Sequence, residues 1–235
     1  METVKFTELD IKPEILKAVA NMGFEAMSPI QAKAIPVELS GKDVIGQAQT
    51  GTGKTAAFGI PILQKVDPKL KKPQAIVLCP TRELAIQVAD EIRKLAKYMS
   101  SVKILPIYGG QEISKQIRSL KAGVQIIIGT PGRMMDHMRR KTVKFDNIHT
   151  VVLDEADEML NMGFYEDICS ILSDTPDEKN TWLFSATMPA EVARIAKQFM
   201  SSPEEITVGH KNSGSATVSH EYYVVNARDR YEALK

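Results

Sequence analysis

The run Ala48-Gln49-Thr50-Gly51-Thr52-Gly53-Lys54-Thr55 combines glycines, a lysine and hydroxyls in a fixed order. Glycines let backbone N–H groups curl around phosphate oxygens without side-chain obstruction. Lys54 supplies a point charge for β- and γ-phosphates, and the Thr55 hydroxyl can ligate Mg²⁺. A helix beginning after the loop adds a partial positive charge. This is the pattern of a P-loop, with Ala48 where the first glycine is usual. The competing reading is a chance glycine-rich turn, and Gly53-Lys54-Thr55 in the required place weighs against it.

Further along, Val151-Val152-Leu153 runs into Asp154-Glu155-Ala156-Asp157. Carboxylates at the C-terminal end of a buried strand stand where ligands of open α/β sheets bind. One can hold Mg²⁺, and a neighbouring Glu can orient or deprotonate an attacking water. Alone, the same residues could be an acidic helix start.

These residues need strands and helices to place them. Short apolar, β-branched runs recur at Val44-Ile45, 75–79, 102–107, 125–128, 150–153, 181–184 and 205–208. Most are apolar throughout, as in strands buried on both faces of a parallel sheet. Amphipathic stretches separate them, such as 83–98, with Leu84, Val88, Ile92 and Leu95 on one face. The alternation predicts an α/β doubly wound domain with a mostly parallel sheet and helices on both faces. It ends near Val208. Residues 209–217, rich in Gly and Ser, read as a linker. Residues 218–225 alternate like a new strand and 228–235 like a helix start, the expected beginning of a truncated second domain.

The chain has 235 residues, 43% hydrophobic and 25% charged, enough for one substantial core. No apolar run approaches the ~20 residues that span a bilayer, and the first residues lack a secretory apolar segment. The two cysteines, Cys79 and Cys169, are expected as buried free thiols in a reducing cytosol. Net charge is +1, so nucleic-acid binding must rest on local features. Arg133, Arg139, Arg140, Lys141 and Lys144 form one basic cluster, which could equally be solvated surface. The histidines show no metal-ligand spacing, and Met159 and Met162 are expected to fill core gaps.

Other short motifs complete the picture. Asp154-Glu155-Ala156-Asp157 resembles the signature of the DEAD-box RNA helicase family. Gly23-Phe24-Glu25-Ala26-Met27-Ser28-Pro29-Ile30-Gln31 resembles its Q motif, with Ser28 where Thr is commoner. Pro80-Thr81-Arg82-Glu83-Leu84-Ala85, Gly109-Gly110 and Thr130-Pro131-Gly132-Arg133 resemble its RNA-backbone motifs. Ser185-Ala186-Thr187 resembles the motif that couples hydrolysis to unwinding. The resemblance spans 6–208, and the motifs occur in the family's order.

The resemblance implies a RecA-like ATP-binding domain over 1–208, including the Q motif, with a second RecA-like domain completing the motor. It implies ATP and Mg²⁺ as cofactors and RNA as partner, held by its backbone without sequence preference. Phe6 would stack on adenine and Gln31 read its edge, selecting ATP over GTP. Gln49, Thr50, Gly51, Thr52, Gly53, Lys54 and Thr55 would cradle the phosphates. Thr55 and Asp154 would hold Mg²⁺, partly through water. Glu155, Lys54 and Asp154 would carry catalysis. Pro80, Thr81, Arg82, Gly109, Gly110, Thr130, Pro131, Gly132 and Arg133 would meet RNA, and Asp157, Ser185 and Thr187 would couple the two ligands. The implied activity is local duplex opening without translocation, in a cytoplasmic protein that needs no oligomer; the short loops and compact first domain look bacterial. The chain by itself would bind nucleotide with little turnover. Two other classes compete: a P-loop kinase or GTPase, for which the Asn-Lys-x-Asp guanine motif is missing, and a non-catalytic RNA clamp.

Overall fold

The computed structural model describes residues 4–208. The expected linker and second-domain start lie outside the described residues. Each apolar run overlaps a strand: β1 (Val44–Gln47), β2 (Ala75–Leu78), β3 (Ile104–Ile107), β4 (Ile126–Gly129), β5 (Thr150–Leu153), β6 (Asn180–Ser185) and β7 (Glu204–Thr207). Nine α-helices alternate with them among the described residues: α1 (Pro13–Asn21), α2 (Pro29–Leu39), α3 (Lys54–Lys65), α4 (Arg82–Leu95), α5 (Ile113–Lys121), α6 (Pro131–Arg139), α7 (Ala156–Asn161), α8 (Tyr165–Ser173) and α9 (Ala190–Phe199).

The strands form one seven-stranded sheet in the order β3-β4-β2-β5-β6-β1-β7. Every pairing is parallel. Successive strand residues point to opposite faces, so the interior strands feed two cores. Val44, Val77, Ile128, Val152, Trp182 and Phe184 pack with α1–α4 on one face. Ile45, Ile76, Ile127, Val151 and Leu183 pack with α6–α9 on the other. That double burial is why the runs read as continuously apolar.

Helix starts follow local chemistry. Pro29 and Pro131 occupy first-turn positions of α2 and α6, where a missing N–H costs nothing. The Thr81 hydroxyl accepts from Leu84 N (3.2 Å) and caps α4. Because every strand runs the same way, the loops leaving the strands open on one sheet edge, and the candidate residues other than Phe6 and Gln31 lie at strand ends, on those loops or in the first turns of the helices that follow.

Two side expectations need correction. Cys79 is buried, but Cys169 is only partly so; both are free. Met159 is fully buried, whereas Met162 is 47% exposed, because α7 ends before it and leaves it outside the core.

Candidate functional site

The sheet order sorts the loops into two neighbouring groups. The loops after β5, β6 and β1, adjacent strands, carry Asp154-Glu155, Ser185-Ala186-Thr187 and the P-loop. The loops after β3, β4 and β2, also adjacent, carry Gly109-Gly110, Thr130–Arg133 and Pro80-Thr81-Arg82. In sequence the second group falls between the P-loop and the other two motifs of the first; strand order brings those three together.

In the first group, Gly51 and Gly53 adopt φ of 83° and 92°, left-handed values that favour glycine. They turn the chain so that α3 begins at Lys54. Lys54 is buried; its Nζ donates to the Ala48 carbonyl (3.3 Å) and lies 3.9 Å from Asp154 Oδ1. The Thr52 hydroxyl donates to the Gln49 carbonyl (2.7 Å), closing the loop on itself. Asp154 Oδ1 is buried and has no hydrogen-bond donor. Burial raises the Asp154 pKa to about 6; Lys54 opposes that rise and Glu155 adds to it. An orphaned carboxylate oxygen beside an ammonium, in a cleft that Thr55 also lines, fits a divalent cation. Such an ion would lower that pKa and satisfy the oxygen.

Glu155 sits at φ 53°, ψ 52°, a left-handed conformation that costs a non-glycine residue about 1–2 kcal/mol. The strain turns its carboxylate toward the P-loop, where Oε1 accepts from the Thr50 hydroxyl (2.9 Å). Asp157 faces β6. Its Oδ2 accepts from both the backbone N–H (2.8 Å) and the hydroxyl (2.7 Å) of Thr187. The Ser185 hydroxyl accepts from Asp157 N–H (3.2 Å) and donates to the Thr187 carbonyl (2.6 Å). Burial pushes the Asp157 pKa up, but bonds from Thr187 and Ser185 outweigh it and the net shift is downward. The three coupling residues are therefore one hydrogen-bonded unit.

Gln31 reaches the P-loop from α2. Its Oε1 accepts from Ser28 N–H (2.9 Å) and its Nε2 donates to the Gly53 carbonyl (3.0 Å). A cleft of about 350 Å³ opens beside it, lined by Met22, Phe24, Gln31, Thr55, Asp154 and Glu155 among others. Phe6 does not line this cleft. It is buried in the core and stacks on Phe24, with ring centroids 6.4 Å apart. Phe24 is 40% exposed and presents the aromatic face at the cleft. Sequence reasoning also missed Glu91 and Lys94, which line the cleft from α4.

In the second group, Arg82, Gly109 and Gly110 are exposed, and Thr81, Thr130 and Gly132 are half-buried. Pro80 and Pro131 are buried beneath them. The Arg82 guanidinium lies over the Tyr108 ring, 5.0 Å from its centroid. Arg133 is turned inward, its side chain only 12% exposed. It donates to the Gln111 carbonyl (2.9 Å) and Gln116 Oε1 (3.2 Å). The basic cluster is thus split, with Arg139, Arg140, Lys141 and Lys144 outside and Arg133 inside.

The DEAD/DEAH box helicase family matches residues 28–195, most of the chain, from just before Gln31 to beyond Thr187. The chain belongs to the DEAD/DEAH box helicase family. It is 53% identical over 232 residues to the DEAD-box ATP-dependent RNA helicase CshA of Bacillus subtilis, covering 99% of this chain and 47% of that protein. The CshA of Geobacillus kaustophilus is 54% identical over 97% of this chain and 49% of its own length. The chain spans about half the length of these curated relatives. A DEAD box protein from the hyperthermophile Methanococcus jannaschii superimposes with a TM-score of 0.84 at 45% identity, covering 100% of this chain and 63% of that one. A hypothetical ATP-dependent RNA helicase from Sulfolobus tokodaii gives 0.77 at 39% identity, over 84% of this chain and 57% of that one. Like these DEAD-box structures, the chain has the RecA-like α/β fold expected from its sequence.

Among the described residues, no helix is long and apolar enough to cross a membrane. Nor, among them, do three His, Cys, Asp or Glu side chains cluster as a ready-made metal site.

Proposed function

We propose that this domain is the nucleotide-binding half of an ATP-dependent RNA helicase, working with a second RecA-like domain in the whole protein. The observation that carries the reading is Lys54 Nζ held 3.9 Å from Asp154 Oδ1, a buried oxygen with no hydrogen-bond donor, beside a glycine-turned loop. The P-loop N–H groups and Lys54 bind the triphosphate. Asp154 and the Thr55 hydroxyl would hold Mg²⁺, which supplies charge neutralisation on the phosphates when bound. Glu155 takes the proton from the attacking water as the bond to the leaving ADP breaks.

Gln31 selects the base. An amide offers two donor and two acceptor positions, and its two hydrogen bonds use one of each. One donor and one acceptor remain, the complement of the adenine edge. Phe24 is placed to stack on the base, with Phe6 supporting it from below. RNA lies over the second loop group, where Arg82 and the backbone around Gly109, Gly110 and Thr130–Gly132 meet phosphates and sugars. Asp157, Ser185 and Thr187 link nucleotide state to the second domain, which closes over both ligands, opens a short duplex locally and releases on hydrolysis. Free cysteines and the lack of a membrane helix among the described residues support a cytoplasmic setting.

The test is phosphate release from ATP by the full-length protein, with and without single-stranded RNA. RNA stimulation that Lys54→Ala abolishes supports the reading. Turnover indifferent to RNA, or equal with GTP, rejects it. The chain alone is expected to show little turnover until the second domain is supplied.

A further inference from the structure

Gln116 on α5 is 1% exposed, yet it meets every hydrogen-bonding demand of its amide. Its Nε2 donates to the Tyr108 carbonyl (3.1 Å) and to Gln111 Oε1 (2.8 Å). Its Oε1 accepts from Arg133 Nη1 (3.2 Å) and pairs with His137 Nε2 (3.0 Å). A buried amide with all four positions filled is costly to disturb, since any change strands a partner. The four partners belong to two places only. Tyr108 and Gln111 bracket Gly109-Gly110; Arg133 and His137 lie on the first two turns of α6.

The bonding fixes the histidine as well. With Gln116 Nε2 spent on two carbonyl-type acceptors, its Oε1 must receive, so His137 Nε2 carries the proton. Nδ1 then accepts from the Thr142 hydroxyl (2.8 Å). Arg133 is held in turn by the Gln111 carbonyl (2.9 Å) and by Asp136, 3.6 Å from its Nε. Its guanidinium is committed to three groups of its own chain and turned away from the surface.

Resting on the RNA reading above, we propose that Gln116, Arg133 and His137 are positioning residues that lock the Gly109-Gly110 loop to the start of α6. Two RNA-facing loops from separate strands are thereby presented as one preformed surface. Arg133 serves RNA through this lock and does not touch a phosphate. Tyr108 extends the unit to the third loop, because Arg82 rests on its ring while its carbonyl is held by Gln116.

Salt dependence separates a lock from a contact. For single strands, each phosphate contact contributes about 0.7 to the slope of log affinity against log salt. Binding of a labelled oligouridylate to the full-length protein, with a non-hydrolysable ATP analogue, is measured across a salt series. Arg133→Gln and Gln116→Met are each expected to weaken binding about tenfold at an unchanged slope, whereas Arg82→Ala lowers the slope. Their combination weakens binding less than the product of the two, since they share one network. Hydrogen exchange of ligand-free protein should quicken at 109–111 and 130–133 and not in the central strands. The proposal is overturned if Arg133→Gln lowers the slope by about 0.7. It is equally overturned if Gln116→Met leaves RNA affinity intact, or if nucleotide affinity falls in step with RNA affinity. Should the unaltered protein bind no RNA, the helicase reading fails, and the exchange pattern alone still decides whether the lock exists.

Discussion

At the scale of single residues, side-chain commitments matter more than residue type. Gln31 was legible because a Gln at that spacing belongs to a motif. Its reach to the Gly53 carbonyl was not, since that contact joins helix α2 to a loop 22 residues away. Gln31→Ala is expected to weaken ATP binding about fivefold or more and to narrow its advantage over GTP, as measured by competition with a fluorescent nucleotide. Phe6 and Phe24 show the limit of reading by type: both are aromatic, and only packing decides that Phe6 is buried while Phe24 faces the cleft. Arg133 was expected to meet RNA because Thr130-Pro131-Gly132-Arg133 resembles an RNA-backbone motif; its inward rotamer goes with Gln116, seventeen positions earlier. The same network sets a pH dependence. Burial, and then the Arg133 charge, lowers the His137 pKa from 6.5 to about 4. Between those values the unfolded chain holds more protons than the folded one, so stability conferred by neutral His137 is full above 6.5 and lost as pH falls toward 4. Asp154, raised by burial, acts in the opposite sense. The His137 contribution is therefore read as the difference between the protein and its His137→Gln variant in urea midpoints from pH 7 to about 4.5.

Elements were the most legible scale, for a physical reason. A strand feeding two cores must be mostly apolar, and the interior runs announced themselves that way, whereas β7 at the sheet edge exposes Glu204 and Glu205 and feeds one core through Ile206. Sheet order was hidden, because the pairing of β1 with β6 and β7 joins segments far apart in sequence. One buried residue helps to enforce it. Asp43, just before β1, accepts from Thr181 N–H (2.8 Å) and Ser201 N–H (2.7 Å), tying the starts of β1 and β6 to the segment leading into β7. Asp43→Ala strands both donors and is expected to cost about 2–3 kcal/mol in urea unfolding. The P-loop gives a contrasting case. A Cβ at Gly53 would stand 2.5 Å from Gln31 Nε2, on a backbone at φ +92°. Gly53→Ala should therefore cost about 1–2 kcal/mol of stability, yet displace the Gln31 amide and reduce nucleotide affinity far more. Calorimetric titration beside a denaturation curve distinguishes the two effects.

Across the whole molecule, a net charge of +1 gave no hint of a polyanion partner. The second loop group explains why it need not. Its exposed elements are mainly backbone, with Arg82 as the exposed cation among the motif side chains. RNA binding is accordingly expected to show a shallow salt slope, about one phosphate's worth from this domain, and binding in a salt titration as steep as that of a basic groove would contradict it. The division of the sheet edge has one more consequence. The middle strands of the two loop groups, β4 and β6, are three strands apart, about 14 Å at the usual strand spacing. A close-packed sheet cannot stretch, so the domain works as a ruler: any body that is to register both occupants at once must have a footprint at least that wide, and a narrower one can sense either guest but never their coincidence.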